Sequence, residues 1–206
     1  GSFNDQAQQG ALQAEEELGI SFDQAQPEQN SDFSPAQRNF AESGDYDLIS
    51  CIGFAQTDAL TENADRYSDQ HFQIVDSTID SNNVASYVFK EHLGSFQVGH
   101  LAGLLTQRDF STGGDDMTDA STNTDETTVG FVGGVENSLI KRFEAGYTAG
   151  AKHTGDVEVL SAYAGSWSDP AQGKEIALSM YEDGADVVYH AAGGTGTGVF
   201  GAAQER

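Results

Sequence analysis

Two flat rings stand where a core position is not obvious. Phe3 lies in Ser2-Phe3-Asn4, and Trp167 lies in Gly165-Ser166-Trp167-Ser168-Asp169. Each occupies a polar, glycine- or serine-bearing segment just ahead of a predicted helix. Rings so placed make a stacking slot for a planar ligand, with nearby amides and carboxylates as hydrogen-bonding groups. Packing of each ring against its own neighbouring helix is the equally open alternative. Phe54, after Gly53, is a third ring at a strand end and suits the wall of such a slot. Asp76 also ends a predicted strand, where ligands of α/β sheets gather, and hydrogen-bond acceptor is its least demanding role. His190 ends another strand and is the one histidine to test as a ligand contact.

Constellations for catalysis do not assemble. No G-x-S-x-G elbow is present, and the five histidines form neither H-E-x-x-H nor zinc spacing with the single cysteine. Lys141 follows no G-x-x-x-x-G-K loop. Gly196, Gly198 and Gly201 fit G-x-G-x-x-G, yet the pattern starts after the strand and its turn. In a dinucleotide site it opens the helix directly. A non-enzymatic binding protein without cofactor is the expectation.

Charge narrows the partners. Nine Lys+Arg against 33 Asp+Glu leave a formal charge of -24 over 206 residues. Such a surface excludes nucleic acid, whose phosphates need cationic contacts, and anionic membrane faces. The acids are spread along the whole chain, which favours adaptation to high salt, where screening removes self-repulsion. One segment, 109–128, is acidic and nearly devoid of apolar residues, and reads as a surface loop. Calcium binding by its carboxylates (Asp115, Asp116, Asp119, Asp125, Glu126) is disfavoured, since the spacing does not match a helix–loop–helix site.

The elements that must position these groups alternate strand and helix. Helices are expected at 6–18, capped by Asn4 or Asp5, then at 35–42, 57–67, 95–106 with Ser95 as cap, 138–152, and from Pro170. Strands are expected at 46–52, 71–76, 83–90, 128–132, 157–162 and around 187–189, with a plausible edge strand at 21–25. Ala7, Ala11, Leu12 and Leu18 supply the apolar side of the first helix, and Leu101, Leu104 and Leu105 that of the fourth. Asp169-Pro170-Ala171-Gln172 is the clearest helix start. Cys51 reads as a buried strand residue. This order implies an α/β fold, largely parallel, as two doubly wound lobes: 1–91 and 92–206. The first strand and the end of the last series are expected to be missing.

Several segments resemble the basic-membrane-protein family of substrate-binding lipoproteins, which includes purine nucleoside receptors of ABC importers. They are Ser2-Phe3-Asn4, Tyr46-Asp47-Leu48-Ile49 with Gly53-Phe54, Asn83-Val84-Ala85-Ser86 with Phe89-Lys90-Glu91, and Gly94-Ser95-Phe96. VGFVGG with Arg142-Phe143-Glu144-Ala145-Gly146, then YAGSW-DP-GK and GADVVYHAAGGTGTGVF, continue the match. The resemblance implies a type I periplasmic-binding fold whose two parallel-sheet lobes close over a ligand. It also implies an extracytoplasmic, monomeric receptor, held at the cell membrane by a lipid-modified N-terminus absent from this chain. Ligand would pass to a membrane permease driven by an ATPase. In the nucleoside-binding members aromatic rings hold the base. Phe3 matches one ring, and Trp167 stands where the other is commonly phenylalanine. Asn4 matches a base-reading amide and Asp76 a polar pocket contact, while Gly194 and Thr195 fall in the loop facing the sugar. A purine nucleoside or similar small molecule is the implied ligand. A ligand sensor on the same fold, or a receptor for another small solute, is the alternative.

Overall fold

The computed structural model describes residues 3–109, 122 and 124–206. Most of the acidic 109–128 segment, with Asp115, Asp116 and Asp119, lies outside the described residues. The chain divides into two compact units, Gly1–Phe89 and Lys90–Arg206.

The first unit runs α1 (Phe3–Leu18), α2 (Phe33–Ser43), β1 (Leu48–Ile52), α3 (Thr57–Arg66), β2 (His71–Val75) and β3 (Val84–Tyr87). The strands form a parallel sheet in the order β1-β2-β3, with Ile49 paired to Phe72 and Phe72 to Val84. Alternation along β1 and β2 sends Ile49, Cys51, Phe72 and Ile74 to one face, where Leu60 and Ala64 of α3 complete the core. Full burial of each large side chain there contributes roughly 1.5–3 kcal/mol. Burial also pushes the Cys51 thiol up to about 12, so it is an unreactive core residue at neutral pH.

Two sequence expectations change in this unit. Residues 21–25 form no strand, because among the described residues no neighbour pairs with them, and a lone extended segment has no ladder to join. Helix α1 begins at Phe3, so Asn4 and Asp5 lie inside its first turn, where polar and acidic groups favour the positive end of the helix dipole. It buries none of its side chains, and Leu12 and Leu18 are exposed.

The second unit runs α4 (Glu91–Thr106), β4 (Thr128–Gly133), α5 (Ser138–Lys152), β5 (Glu158–Tyr163), α6 (Pro170–Glu182), β6 (Ala185–Ala191) and α7 (Thr197–Ala203). Its sheet is parallel in the order β5-β4-β6, and every residue of the central strand β4 is buried. Phe131 meets Tyr147 of α5 on one face, while Val132 packs with Ala177, Met180, Val199 and Ala202 of α6 and α7 on the other. Helices therefore cover both faces.

Helix α4 is rotated from its expected orientation, with Leu101 exposed and Leu104 and Leu105 half-buried. It starts four residues before Ser95, and it buries Ser95, Gly99, Ala102, Gly103 and Thr106 while Leu93, Val98 and Leu101 stay exposed. The cause is the closeness of α5. A Cβ on Gly146 would lie 2.3 Å from the His92 carbonyl oxygen, and one on Gly150 2.0 Å from that of Phe96. Backbones this near admit only small side chains at the crossing, so Leu93 and Leu101 turn outward while Leu104 and Leu105 are half-buried.

Candidate functional site

In each unit the parallel strands run out at a carboxyl edge, where α/β sheets place their ligands. In the first unit β1 is followed by Gly53, whose φ of 97° suits glycine and turns the chain into the short 3-10 turn Phe54–Gln56. The ladder reaches past the strands, with Gly53 N–H donating to the Val75 carbonyl (3.1 Å) and Asp76 N–H to that of Tyr87 (2.8 Å). Asp76 is the one described non-glycine residue with positive φ, at 67°. Among L-residues, aspartate and asparagine tolerate that conformation best.

Buried amides support this edge from behind. Asn63 and Gln37, on α3 and α2, are joined at 2.9 Å, and Gln37 donates to Gln56 at 3.1 Å. Gln56 in turn donates to the Ile52 carbonyl at 3.1 Å. The turn carrying Phe54 is thus tied into the core. In front of it the Thr57 hydroxyl donates to the Phe54 carbonyl (2.6 Å) and lies 2.7 Å from the Ser77 hydroxyl. Phe3, 44% exposed at the start of α1, brings its Cε1 to 3.7 Å from where a Gly53 Cβ would stand. The Phe3 ring thus reaches Gly53, Phe54 follows Gly53 in the chain, and Asp76 follows Val75, the residue whose carbonyl holds Gly53, with Asn4 exposed beside Phe3.

In the second unit the carboxyl edge is one hydrogen-bonded assembly. Gly134 N–H donates to the Ala191 carbonyl (3.0 Å) and Gly165 N–H to the Gly134 carbonyl (2.8 Å). The half-buried indole of Trp167 lies on Gly134: a Cβ there would sit 2.5 Å from its Cε3 and Cζ3. Gly193, with φ 56°, and exposed Gly194 pass under the Trp167 carbonyl within the 3-10 turn Gly193–Gly196. Thr195 is fully buried; its hydroxyl donates to the Ser166 carbonyl and accepts from the Asp169 N–H, both at 2.9 Å. Asp169 caps α6 by accepting from Gln172 N–H at 3.0 Å, as the sequence leads one to expect.

Glycine spacing in the last stretch has a packing cause. Cβ atoms on Gly196 and Gly198 would lie 2.1 Å from His190 Nδ1 and 1.9 Å from the Pro170 carbonyl oxygen. These two glycines let α7 close on β6 and α6, whereas a Cβ on Gly201, the third of the G-x-G-x-x-G pattern, would meet only Lys174 Cδ at 3.9 Å. His190 faces Gly196 and the Phe200 ring, 5.1 Å away edge-on, and burial lowers its pKa. Tyr163, at the end of β5 and unremarked in the sequence, donates to Glu144; burial and then this bond raise its pKa. At the opposite end of the sheet a cavity of about 450 Å³ is lined by Glu126, Asp156, Glu158 and Asp183 with Thr127 and Thr128. Its carboxylates and lack of rings make it unlike a stacking site.

The model of the PnrA-like substrate-binding proteins of ABC transporters matches residues 1–206. The chain belongs to this family. It is 38% identical over 209 residues to the ABC transporter nucleoside-binding protein BmpA of Lactococcus lactis, covering 98% of this chain and 54% of that protein. It is 44% identical over 168 residues to the CD4+ T-cell-stimulating antigen of Listeria monocytogenes, covering 81% and 42%. Among solved structures, an ABC transporter solute-binding protein from Aeropyrum pernix is 32% identical at TM-score 0.85, covering 99% of this chain and 54% of that one. The PnrA-like chain thus spans about half the length of the curated relatives it matches. Its fold is the α/β periplasmic-binding-protein fold, with a parallel sheet in each unit. The family binds solutes and is not enzymatic.

Proposed function

We propose that this protein is the extracytoplasmic solute-binding component of an ABC importer and that it binds a purine nucleoside or a similar small planar molecule. The observation that carries the reading is the Trp167 ring, seated on Gly134 at the carboxyl edge of a parallel sheet. Family membership and the nucleoside-binding relative from Lactococcus lactis support it. In the second unit Trp167 stacks on the base, and Gly194 lies in the sugar-side loop that Thr195 holds together. In the first unit, at its own carboxyl edge, Phe3 and Phe54 offer aromatic surface, Asn4 an amide for base-edge groups and Asp76 an acceptor for a ligand hydroxyl. Affinity then comes from stacking and a few desolvated hydrogen bonds.

The protein acts as a monomer at the outer face of the cell membrane through a lipid anchor. It delivers ligand to a permease driven by an ATPase; relatives from Pyrococcus species carry the name lipoprotein. The charge of -24 points to a halophilic setting. Calorimetric titration at high salt with adenosine, guanosine, inosine and ribose tests the ligand class. Heat with a nucleoside and none with ribose is expected. Heat only with an unrelated sugar or peptide overturns it.

A further inference from the structure

We infer that Thr195 is a positioning residue that fixes Trp167 before any ligand arrives, and that Gly134 is the seat that sets where the ring lies. This deepens the proposed nucleoside reading and rests on it only for the ligand half of the test. Three bonds clamp the Trp167 loop to the Gly193–Gly196 turn. Thr195 Oγ1 donates to the carbonyl of Ser166, immediately before the tryptophan. The same oxygen accepts from the N–H of Asp169, two residues after it. Thr195 N–H donates to the carbonyl of Trp167 itself at 3.1 Å.

One buried hydroxyl therefore uses its proton and a lone pair on the two flanks of a single aromatic residue. The fully buried hydroxyl is spent inside the loop, so its effect on a ligand passes through Trp167. Where the ring rests, Gly134 leaves no room for a side chain. A Cβ there would meet Cε3 and Cζ3 at 2.5 Å and the Ala192 Cα at 3.2 Å. A ring seated on backbone and carried by a clamped loop loses little freedom on stacking, which is how preorganisation raises affinity.

Trp167 is the only tryptophan, so intrinsic fluorescence reports this ring alone. Thr195→Val keeps the shape and leaves the Ser166 carbonyl and the Asp169 N–H unpaired. Thr195→Ser keeps the hydroxyl. Without ligand, Thr195→Val is expected to raise acrylamide quenching of Trp167 about twofold through local opening. Guanosine affinity is expected to fall about tenfold, equivalent to roughly 1.4 kcal/mol. Thr195→Ser is expected to restore both. Gly134→Ala, which displaces the ring from its seat, raises quenching independently and stands in if the valine variant fails to fold.

Quenching and anisotropy unchanged in Thr195→Val and Gly134→Ala overturn the inference, and a lowered affinity alongside them makes Thr195 a direct ligand contact. Loosened fluorescence in a protein that binds no nucleoside upholds the positioning role and retires the nucleoside reading.

Discussion

Gly99 of α4 faces the Tyr147 carbonyl of α5 so closely that a Cβ on Gly99 would stand 2.0 Å from the oxygen. The neighbour is backbone, so it cannot rotate away, and the two helices must separate to admit a methyl group. Overpacking against side chains costs about 1–3 kcal/mol, and this backbone clash lies at or above the upper end. Gly99→Ala is expected to lower Tm by about 6–12 °C, taking roughly 3 kcal/mol at 2–4 °C per kcal/mol. Calorimetric melting checks this, and a Tm within about two degrees of wild type, less than the shift of even about 1 kcal/mol, contradicts the tight crossing.

This crossing shows what the sequence hides. Leu101, Leu104 and Leu105 read as an inner face because burial is the usual fate of leucine, and a one-dimensional pattern contains no interhelix distance. The signal was there in Gly99 and Gly103 opposite Gly146 and Gly150, but it takes the pairing of α4 with α5 to see it. Strands of the buried kind were legible, because Val129, Phe131 and Val132 have no polar alternation to confuse them. At the site, Phe54, Asp76 and Trp167 stood out as groups at strand ends. Gly134 and the Thr195 clamp did not, since both depend on a carbonyl or ring supplied by a segment about thirty residues away.

Trp167→Ala is expected to weaken nucleoside binding by roughly 1–3 kcal/mol, the range for loss of base–aromatic stacking. Trp167→Phe keeps a flat ring and retains most of the affinity. Titration calorimetry of the two variants separates stacking from packing. Equal affinity in wild type and Trp167→Ala assigns the ring to the fold alone.

Salt should stabilise this protein strongly. With a net charge of -24 the folded state is held against its own repulsion. The Debye length falls from about 10 Å at 0.1 M to about 3 Å at 1 M, which removes most longer-range terms. Tm is expected to rise steeply with NaCl and to level off near about 1 M, where screening is nearly complete. A Tm that is flat or falling across that range refutes the halophilic reading.

His190 predicts a limb on the acid side of the stability profile. Burial depresses its folded pKa below the ordinary 6.5, and its Nδ1 is buried beside Gly196 without a hydrogen bond. The unfolded chain takes up a proton on His190 more readily than the native state does. Its contribution to stability is therefore complete above the unfolded pKa and is lost as pH falls through the folded one. Wild type is expected to lose more stability than His190→Gln when pH is lowered from 7 into the folded titration range. Urea melts at fixed high salt measure it, and parallel profiles for the two proteins contradict the assignment.

Asp76 separates fold from function most cleanly, because its backbone and its charge make different demands. The φ of 67° penalises most side chains, by about 1–2 kcal/mol for an ordinary L-residue in the left-handed region, and asparagine is among the few that adopt it readily. Asp76→Asn should therefore keep Tm near the wild-type value, whereas Asp76→Ala should lower it. Both replace a carboxylate that accepts from a ligand hydroxyl in the proposed complex. Hydrogen bonds to charged groups contribute about 1.5–3 kcal/mol, so both variants should bind nucleoside more than tenfold more weakly. Deoxynucleosides that lack the partnered hydroxyl should narrow the gap between wild type and Asp76→Asn. If asparagine leaves affinity intact, the requirement at this position is the left-handed turn alone, and the ligand hydroxyl has another acceptor.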